Sequence, residues 1–215
     1  MRIEDGQNKM IINSNDDLMR GINELSKIDP SLDFVFQKVG TPPLRRTQPG
    51  FETLARIIIA QQISRTAADA ISMRLEQAGL IDPKHVAQAS DIELVEIGLS
   101  TAKARYLRAL SRSSIDFEAL SAMPDVDVVK TLSSVDGIGR WTAEIYLISA
   151  LGRCDIFPSG DLALRKATGR LLALEIPPSE ATVRKIAVRW SPWRSVAARL
   201  LWAYYSSENE RKAST

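Results

Sequence analysis

The chain has 215 residues, 45% of them hydrophobic, with 28 Lys and Arg against 26 Asp and Glu and a formal net charge of +2. That content supports a sizeable core, as one domain or two small lobes, and excludes disorder away from the ends; the small net charge does not announce a nucleic-acid binder, so any basic surface has to be local. A single cysteine, Cys154, excludes an internal disulfide, a cysteine-based zinc site and a four-cysteine iron–sulfur cluster, and a reducing compartment with a cytoplasmic protein is expected, because no apolar run has spanning length and the polar first dozen residues lack a secretory pattern.

In chain order, Leu18, Ile22 and Leu25 recur at helical spacing and predict a helix within the first 40 residues. Pro42, Pro43, Pro49 and Gly50, with Arg45 and Arg46 between them, then form a non-helical basic connection and the best candidate boundary. A helix is predicted from Phe51 to Gln61 with Leu54, Ile57 and Ile58 on one face, and Ser64 is placed to cap the next, which carries Ala68, Ile71 and Leu75. His85, beside Pro83, is read as a surface residue of a loop, with no partner histidine. Ser90 and Glu93 make a capping box, Gly98 closes that short helix, and Ser100 caps a helix containing Lys103, Tyr106, Leu107 and Leu110.

Pro124 opens a short helix with Val128, Val129 and Leu132 inward, and a mostly buried helix follows with Trp141, Ile145 and Ile148 along one face. After Asp161 come a helix to about Leu174, a break at Pro177-Pro178, a helix after Ser179, and a last helix from Ser191-Pro192 with Val196, Leu200 and Tyr204 inward. No strand alternation and no internal repeat is found. The expected fold class is all-α, built of about ten short helices.

Two stretches carry chemistry. In Leu132-x-x-Val135-x-Gly137-Ile138-Gly139-x-x-Thr142-Ala143 a helix enters a tight turn where glycine allows close backbone approach, and a second helix begins at once. The first amides of that helix lack intrahelical partners, so they suit a phosphate oxygen, with Ile138 anchoring the turn inward; the plain alternative is a helix stop followed by a helix start. Phe157-Pro158-Ser159-Gly160-Asp161 brings a carboxylate to the start of a helix. Asp161 is either an N-cap or a catalytic group, and Ser159 or Gly160 is an alternative cap.

Taken together, these stretches resemble the helix–hairpin–helix superfamily of base-excision DNA glycosylases, and within it most closely the 3-methyladenine DNA glycosylase II family. The family pattern stands here as Gly137-Ile138-Gly139-Arg140-Trp141-Thr142-Ala143 and Phe157-Pro158-Ser159-Gly160-Asp161, and Gln61-Gln62-Ile63-Ser64, Gly98-Leu99-Ser100-x-x-Lys103 and Trp190-x-Pro192-Trp193-Arg194-Ser195 look like its flanking segments. The likeness spans about Phe51 to Tyr205. The stretch from Met1 to Gly50 is too short for the additional mixed N-terminal domain of the best-known bacterial members, so the chain looks like a compact form.

The resemblance implies two helical lobes, residues 51–151 with the hairpin and residues 1–50 plus 152–215 with the catalytic aspartate, and an active-site cleft between them. It implies a monofunctional glycosylase that flips alkylated purines of the 3-methyladenine and 7-methylguanine type out of duplex DNA and hydrolyses the N-glycosidic bond. Asp161 would stabilise the developing positive charge on the sugar and orient or deprotonate the water. Gln62 would fill the gap left by the extruded base, where the family more often uses an apolar wedge; an ordinary polar helix end is the alternative. Trp141 and Trp193 are candidates to face a cationic base, against the alternative that they are core residues, which Trp193 favours.

Gly137, Ile138, Gly139, Arg140 and Thr142 would make up the DNA-binding hairpin, with Arg140 the arginine expected at phosphate; Arg45, Arg46, Arg165, Lys166, Arg170 and Arg194 are further candidates or simply solvated. Bifunctional members place a nucleophilic lysine two residues after the second hairpin glycine, and here that residue is Trp141, so no strand nicking is expected; Lys103 and Lys166 stand elsewhere. No cofactor performs chemistry, although the resemblance allows a structural monovalent cation at the carbonyls of Val135 and Gly137. Double-stranded DNA with damaged bases is the expected partner, with no membrane, and a monomer is expected. The rival readings are a glycosylase for deaminated or etheno bases, and a non-enzymatic helix–hairpin–helix DNA-binding protein.

Overall fold

The computed structural model of the chain describes residues 10–213. The chain opens with α1 (Asn15–Ile28) and α2 (Pro30–Val39), continues through α3 (Phe51–Ala60), α4 (Arg65–Gln77), α5 (Pro83–Gln88), α6 (Asp91–Glu96), α7 (Thr101–Ser111), α8 (Ala119–Ala122), α9 (Asp125–Ser133) and α10 (Arg140–Ser149), and finishes with α11 (Leu162–Leu171), α12 (Glu180–Ala187), a 3₁₀ turn at Val188–Trp190 and α13 (Arg194–Ala213). Among the described residues the extended pairing is confined to one isolated bridge, Ile11 with Arg153, and no helix is long and apolar enough to cross a membrane.

The helices start where short polar side chains satisfy their first amides. Ser64 accepts from Ala67 N at 3.2 Å, Ser90 and Glu93 form a reciprocal capping box, and Ser100 accepts from Lys103 N at 3.3 Å. Two aspartate–proline starts were not expected from the sequence. Asp29 and Asp82 cap helices whose first residue is proline, Pro30 and Pro83, where the missing N–H costs nothing. His85 therefore sits on α5 rather than in a loop, with Nδ1 3.0 Å from the Gly79 carbonyl oxygen.

The chain divides into two compact units, Thr47–Leu151 and the pair Met1–Arg46 with Gly152–Thr215, so the first crossing lies a few residues ahead of the Gly50 boundary expected from the prolines. In the 47–151 unit α3 packs on α4, α7 and α10, and α9 packs on α10. Leu54, Ile58, Leu107, Leu132 and Leu147 are fully buried, and the Tyr146 hydroxyl, sunk among them, accepts from Gly50 N at 2.9 Å. The buried face of α10 is Thr142, Ala143, Tyr146 and Leu147, joined by Ile148, whereas Trp141 and Ile145 are only half-buried. The predicted stripe was thus rotated by about one position, because period-3.6 reasoning does not fix a helix's phase when most of its residues are apolar.

In the other unit α13 packs on α1, α2 and α11 around a core of Leu18, Ile22, Leu25, Val35, Leu164, Trp190, Val196 and Leu200. The fully buried Trp190 indole donates to Asp29 Oδ2 at 2.7 Å, and Asp29 also caps α2 through Ser31 N at 3.0 Å. Trp193 belongs to this core, 9% exposed, and lies against Gly21 of α1, where an added Cβ would come within 2.7 Å of its ring. Its helical neighbour Gly21 is what lets the indole approach.

Asp155 ties the start of α13 to the loop before α11. Burial pushes its carboxyl up, but Arg194, at 2.7 and 3.0 Å, and the Ser191 hydroxyl, at 2.8 Å, outweigh that and hold it below its ordinary value. A depressed carboxylate contributes stability above its unfolded pKa and loses it as pH falls through its folded pKa. Chemical denaturation should therefore find Asp155→Asn less stable than the parent at neutral pH, with the gap closing from about pH 5 downward. A gap that stays constant down to about pH 2 would show that the pair contributes nothing pH-dependent.

Candidate functional site

In the 47–151 unit, α9 runs out at Ser134, and Ile138 N bonds the Val135 carbonyl at 3.1 Å to close a tight turn. Gly137 has φ +85, and a Cβ there would stand 2.0 Å from Cγ of Tyr106, so the turn rests directly on an aromatic ring of α7. Ile138 is 3% exposed and anchors the turn inward. Gly139 precedes α10 with extended backbone, no side chain caps the helix, and nothing lies within 4 Å of where its Cβ would be. The result is a helix N-terminus approached through open space, which suits an anion such as a phosphate oxygen.

The flanking side chains divide sharply. Arg140 stays at the surface, its side chain 60% exposed, and its Nε bonds Glu144 Oε1 at 2.8 Å. Thr142, expected to contact DNA, is 1% exposed and instead accepts from Gln61 Nε2 at 2.9 Å. It faces the core with Ala143 and Glu144, on the buried side of the start of α10. Trp141 lies half-buried beside it.

Gln61 is a residue that sequence reasoning quoted without giving it a role. Besides Thr142, its Nε2 donates to the Gly137 carbonyl at 3.1 Å, so it joins the end of α3 to the hairpin. A cation at the carbonyls of Val135 and Gly137 would share each oxygen with a donor already in place, Ile138 N on one and Gln61 Nε2 on the other, and would take the second lone pair. Gln62 follows in the left-handed region with φ 58, its side chain exposed.

The second site lies in the unit built from both chain ends. Phe157, Pro158 and Ser159 are buried, Asp161 N bonds the Pro158 carbonyl at 2.9 Å, and the chain reaches the surface at Gly160. Asp161, half-buried, is the N-cap of α11: Oδ1 accepts from Leu164 N at 3.0 Å. Neither Ser159, whose hydroxyl bonds the Phe157 carbonyl at 3.3 Å, nor Gly160 takes that role. The same Oδ1 accepts from the Trp202 indole N–H at 3.3 Å, which fixes the carboxylate from α13 as well.

Trp202 was missed because nothing in its own neighbourhood of sequence marks it; the contact spans 41 positions. Trp193, by contrast, offers no face to a ligand, being packed into the core against Gly21. A carboxylate held half-buried by a helix start and an indole can stabilise a cationic centre brought against it. The scattered basic candidates are mostly structural: Arg194 pairs with Asp155, Arg165 donates to the Pro178 carbonyl at 2.8 Å, Arg170 donates to Asn209 at 2.9 Å, and Arg46 donates to Asn13 at 3.2 Å. Among the described residues no group of three or more His, Cys, Asp or Glu side chains is placed to hold a metal ion.

Comparison with known proteins places the chain in a family. Residues 55–192 match the model of the HhH-GPD superfamily base excision DNA repair protein. The chain is 26% identical over 198 residues to an alkylbase DNA glycosidase-like protein of Schizosaccharomyces pombe, covering 86% of this chain and 93% of that protein. Its fold is similar to the Schizosaccharomyces pombe 3-methyladenine DNA glycosylase in complex with abasic DNA, with a TM-score of 0.79, 27% identity and coverage of 85% of this chain and 95% of the other. It is also similar to a 3-methyladenine DNA glycosylase from Archaeoglobus fulgidus, with a TM-score of 0.77, 26% identity and coverage of 91% and 70%.

Proposed function

The chain belongs to the HhH-GPD superfamily of base excision DNA repair proteins, and we propose that it is a DNA glycosylase that removes alkylated purines of the 3-methyladenine and 7-methylguanine type from duplex DNA. The observation that carries this reading is the carboxylate of Asp161, held half-buried at the start of α11 by Leu164 N and the Trp202 indole, in a chain that also carries the open-ended hairpin before α10. The hairpin would hold a backbone phosphate without regard to sequence, and Asp161 would act on the sugar of the extruded nucleotide.

The reaction asks little of the protein beyond charge and position. As the bond from C1′ to the purine nitrogen breaks, its electron pair leaves with the base, which as an alkylated purine already carries positive charge and departs without a general acid. The sugar is left cationic, and Asp161 stabilises it electrostatically. Water then adds at C1′, and its proton passes to the carboxylate. Half-buried Trp141 is the aromatic candidate to face the cationic base.

Trp141 also stands where the bifunctional members keep a lysine, and an indole cannot form a Schiff base, so hydrolysis without strand nicking is the proposed outcome. A monomer acting wherever the cell keeps its DNA completes the reading. The test is base release from methylated duplex DNA, with cleavage of the abasic strand scored in parallel. Free 3-methyladenine or 7-methylguanine with an intact abasic strand is expected; release of deaminated or etheno bases alone would move the substrate class, and strand nicking at a rate matching base release would overturn the monofunctional assignment.

A further inference from the structure

Lys103 lies in the first turn of α7, yet its side chain serves a different helix. Its Nζ donates to the carbonyl of Ile59 at 2.6 Å, in the last turn of α3, and to that of the C-cap Gln61 at 2.7 Å, two oxygens with no partner within the helix. A cation at a helix C-terminus also meets the negative end of the dipole. One residue further on, the chain turns through Gln62 in the left-handed region, a conformation that side-chain-bearing residues hold only where their surroundings dictate it. Gln61 supplies the other restraint, since its Nε2 bonds the Gly137 carbonyl and the Thr142 hydroxyl. Burial lowers the pKa of Lys103, as expected for an ammonium withdrawn from solvent to bond main-chain oxygens.

We propose that Lys103 and Gln61 are positioning residues that clamp the exit of α3 to the hairpin and so aim Gln62 into the gap left by an extruded base. The inference rests on the glycosylase reading above and adds to it a specific division of labour: Lys103 fixes the main chain of the corner, Gln61 ties it to the phosphate-holding turn, and Gln62 enters the stack. Gripping the backbone and wedging the duplex are then one mechanical unit. A clamp of this kind acts on flipping and not on the bond-breaking step, so its loss is felt most where the base is hard to extrude.

The test uses the full chain and two duplexes with a single 7-methylguanine, paired with cytosine in one and opposite an abasic site in the other. Lys103→Met and Gln61→Leu are each expected to slow release from the paired lesion by about 100-fold, in kcat with KM little changed. Opposite the abasic site, where extrusion is cheap, the deficit should shrink by about tenfold or more. Lys103→Arg, whose guanidinium can also donate to two carbonyls, should restore most of the rate. Should Lys103→Met fail to fold, Gln61→Leu, which keeps both Lys103 hydrogen bonds, carries the same comparison.

Equal deficits on the two duplexes, or no deficit in either variant, would overturn the clamp. A parent protein that releases no base from either duplex would sink the glycosylase reading instead. In that event 2-aminopurine fluorescence in the bound duplex still reports extrusion: a rise with the parent that Lys103→Met and Gln61→Leu both lose supports the clamp, and identical signals overturn it.

Discussion

Asp161→Asn is expected to cut base release from methylated duplex DNA by about 10³-fold or more, with thermal melting and duplex affinity close to those of the parent. The two effects separate because the N-cap role observed for Asp161 and the catalytic role proposed for it depend on different properties of one side chain. As the N-cap of α11 it needs an oxygen to accept from Leu164 N, and asparagine supplies one. As the group proposed to face a cationic sugar it would need a negative charge, which asparagine lacks. Asp161→Ala removes both and is expected to lose a further ~1 kcal/mol of stability, a fall of about 2–4 °C in a chain of this size. Normal base release by Asp161→Asn would exclude Asp161 as the catalytic group.

The second large effect comes from a pair of glycines two positions apart. Gly137→Ala forces a side chain into φ +85 and drives its Cβ to 2.0 Å from the Tyr106 ring, where Tyr106 cannot retreat without moving α7. The left-handed backbone costs roughly 1–2 kcal/mol and the overpacking roughly 1–3 kcal/mol, so a melting temperature lower by about 10 °C is expected. Gly139→Ala has neither problem, since its backbone is extended and the space around its Cβ is open. Its stability should stay within about 0.5 kcal/mol.

The same open space is what a phosphate needs. Gly139→Ala is therefore expected to weaken duplex binding about tenfold and to lower the slope of log affinity against log salt by about one, the signature of one lost phosphate contact. Unchanged affinity and slope in a well-folded Gly139→Ala would show that the start of α10 holds no phosphate.

Much of this was legible in the sequence because it is written in local chemistry. The caps Ser64, Ser90 and Ser100, the inward Ile138 and the buried Phe157-Pro158 lead-in to Asp161 are each settled by a handful of adjacent residues. The aspartate–proline starts at Asp29 and Asp82 were equally local and were passed over: Pro30 was given no reading, and Pro83 was assigned to a loop although it is a first helical residue. What the sequence withheld is direction and distance. Thr142 is the third residue of α10, and only the rotation of that helix on its neighbours decides that it bonds Gln61 rather than a ligand. Trp193 is placed by Gly21, and Asp161 is steadied by Trp202, contacts that no window of neighbouring residues contains.

The interleaving of the two units sets an order for biosynthesis. Thr47–Leu151 is contiguous, so its helices have their partners as soon as they leave the ribosome, and the hairpin with its Gln61 and Lys103 ties can assemble on a growing chain. The other unit has to wait. Leu18, Ile22 and Leu25 are buried against α13, and Asp29 meets Trp190 across 161 positions, so α1 and α2 remain without their core until α13 has been made. Trp202, which steadies Asp161, is made 41 positions after it. A nascent chain thus completes the hairpin before the surroundings of Asp161, and a product interrupted before α13 would carry the first without the second.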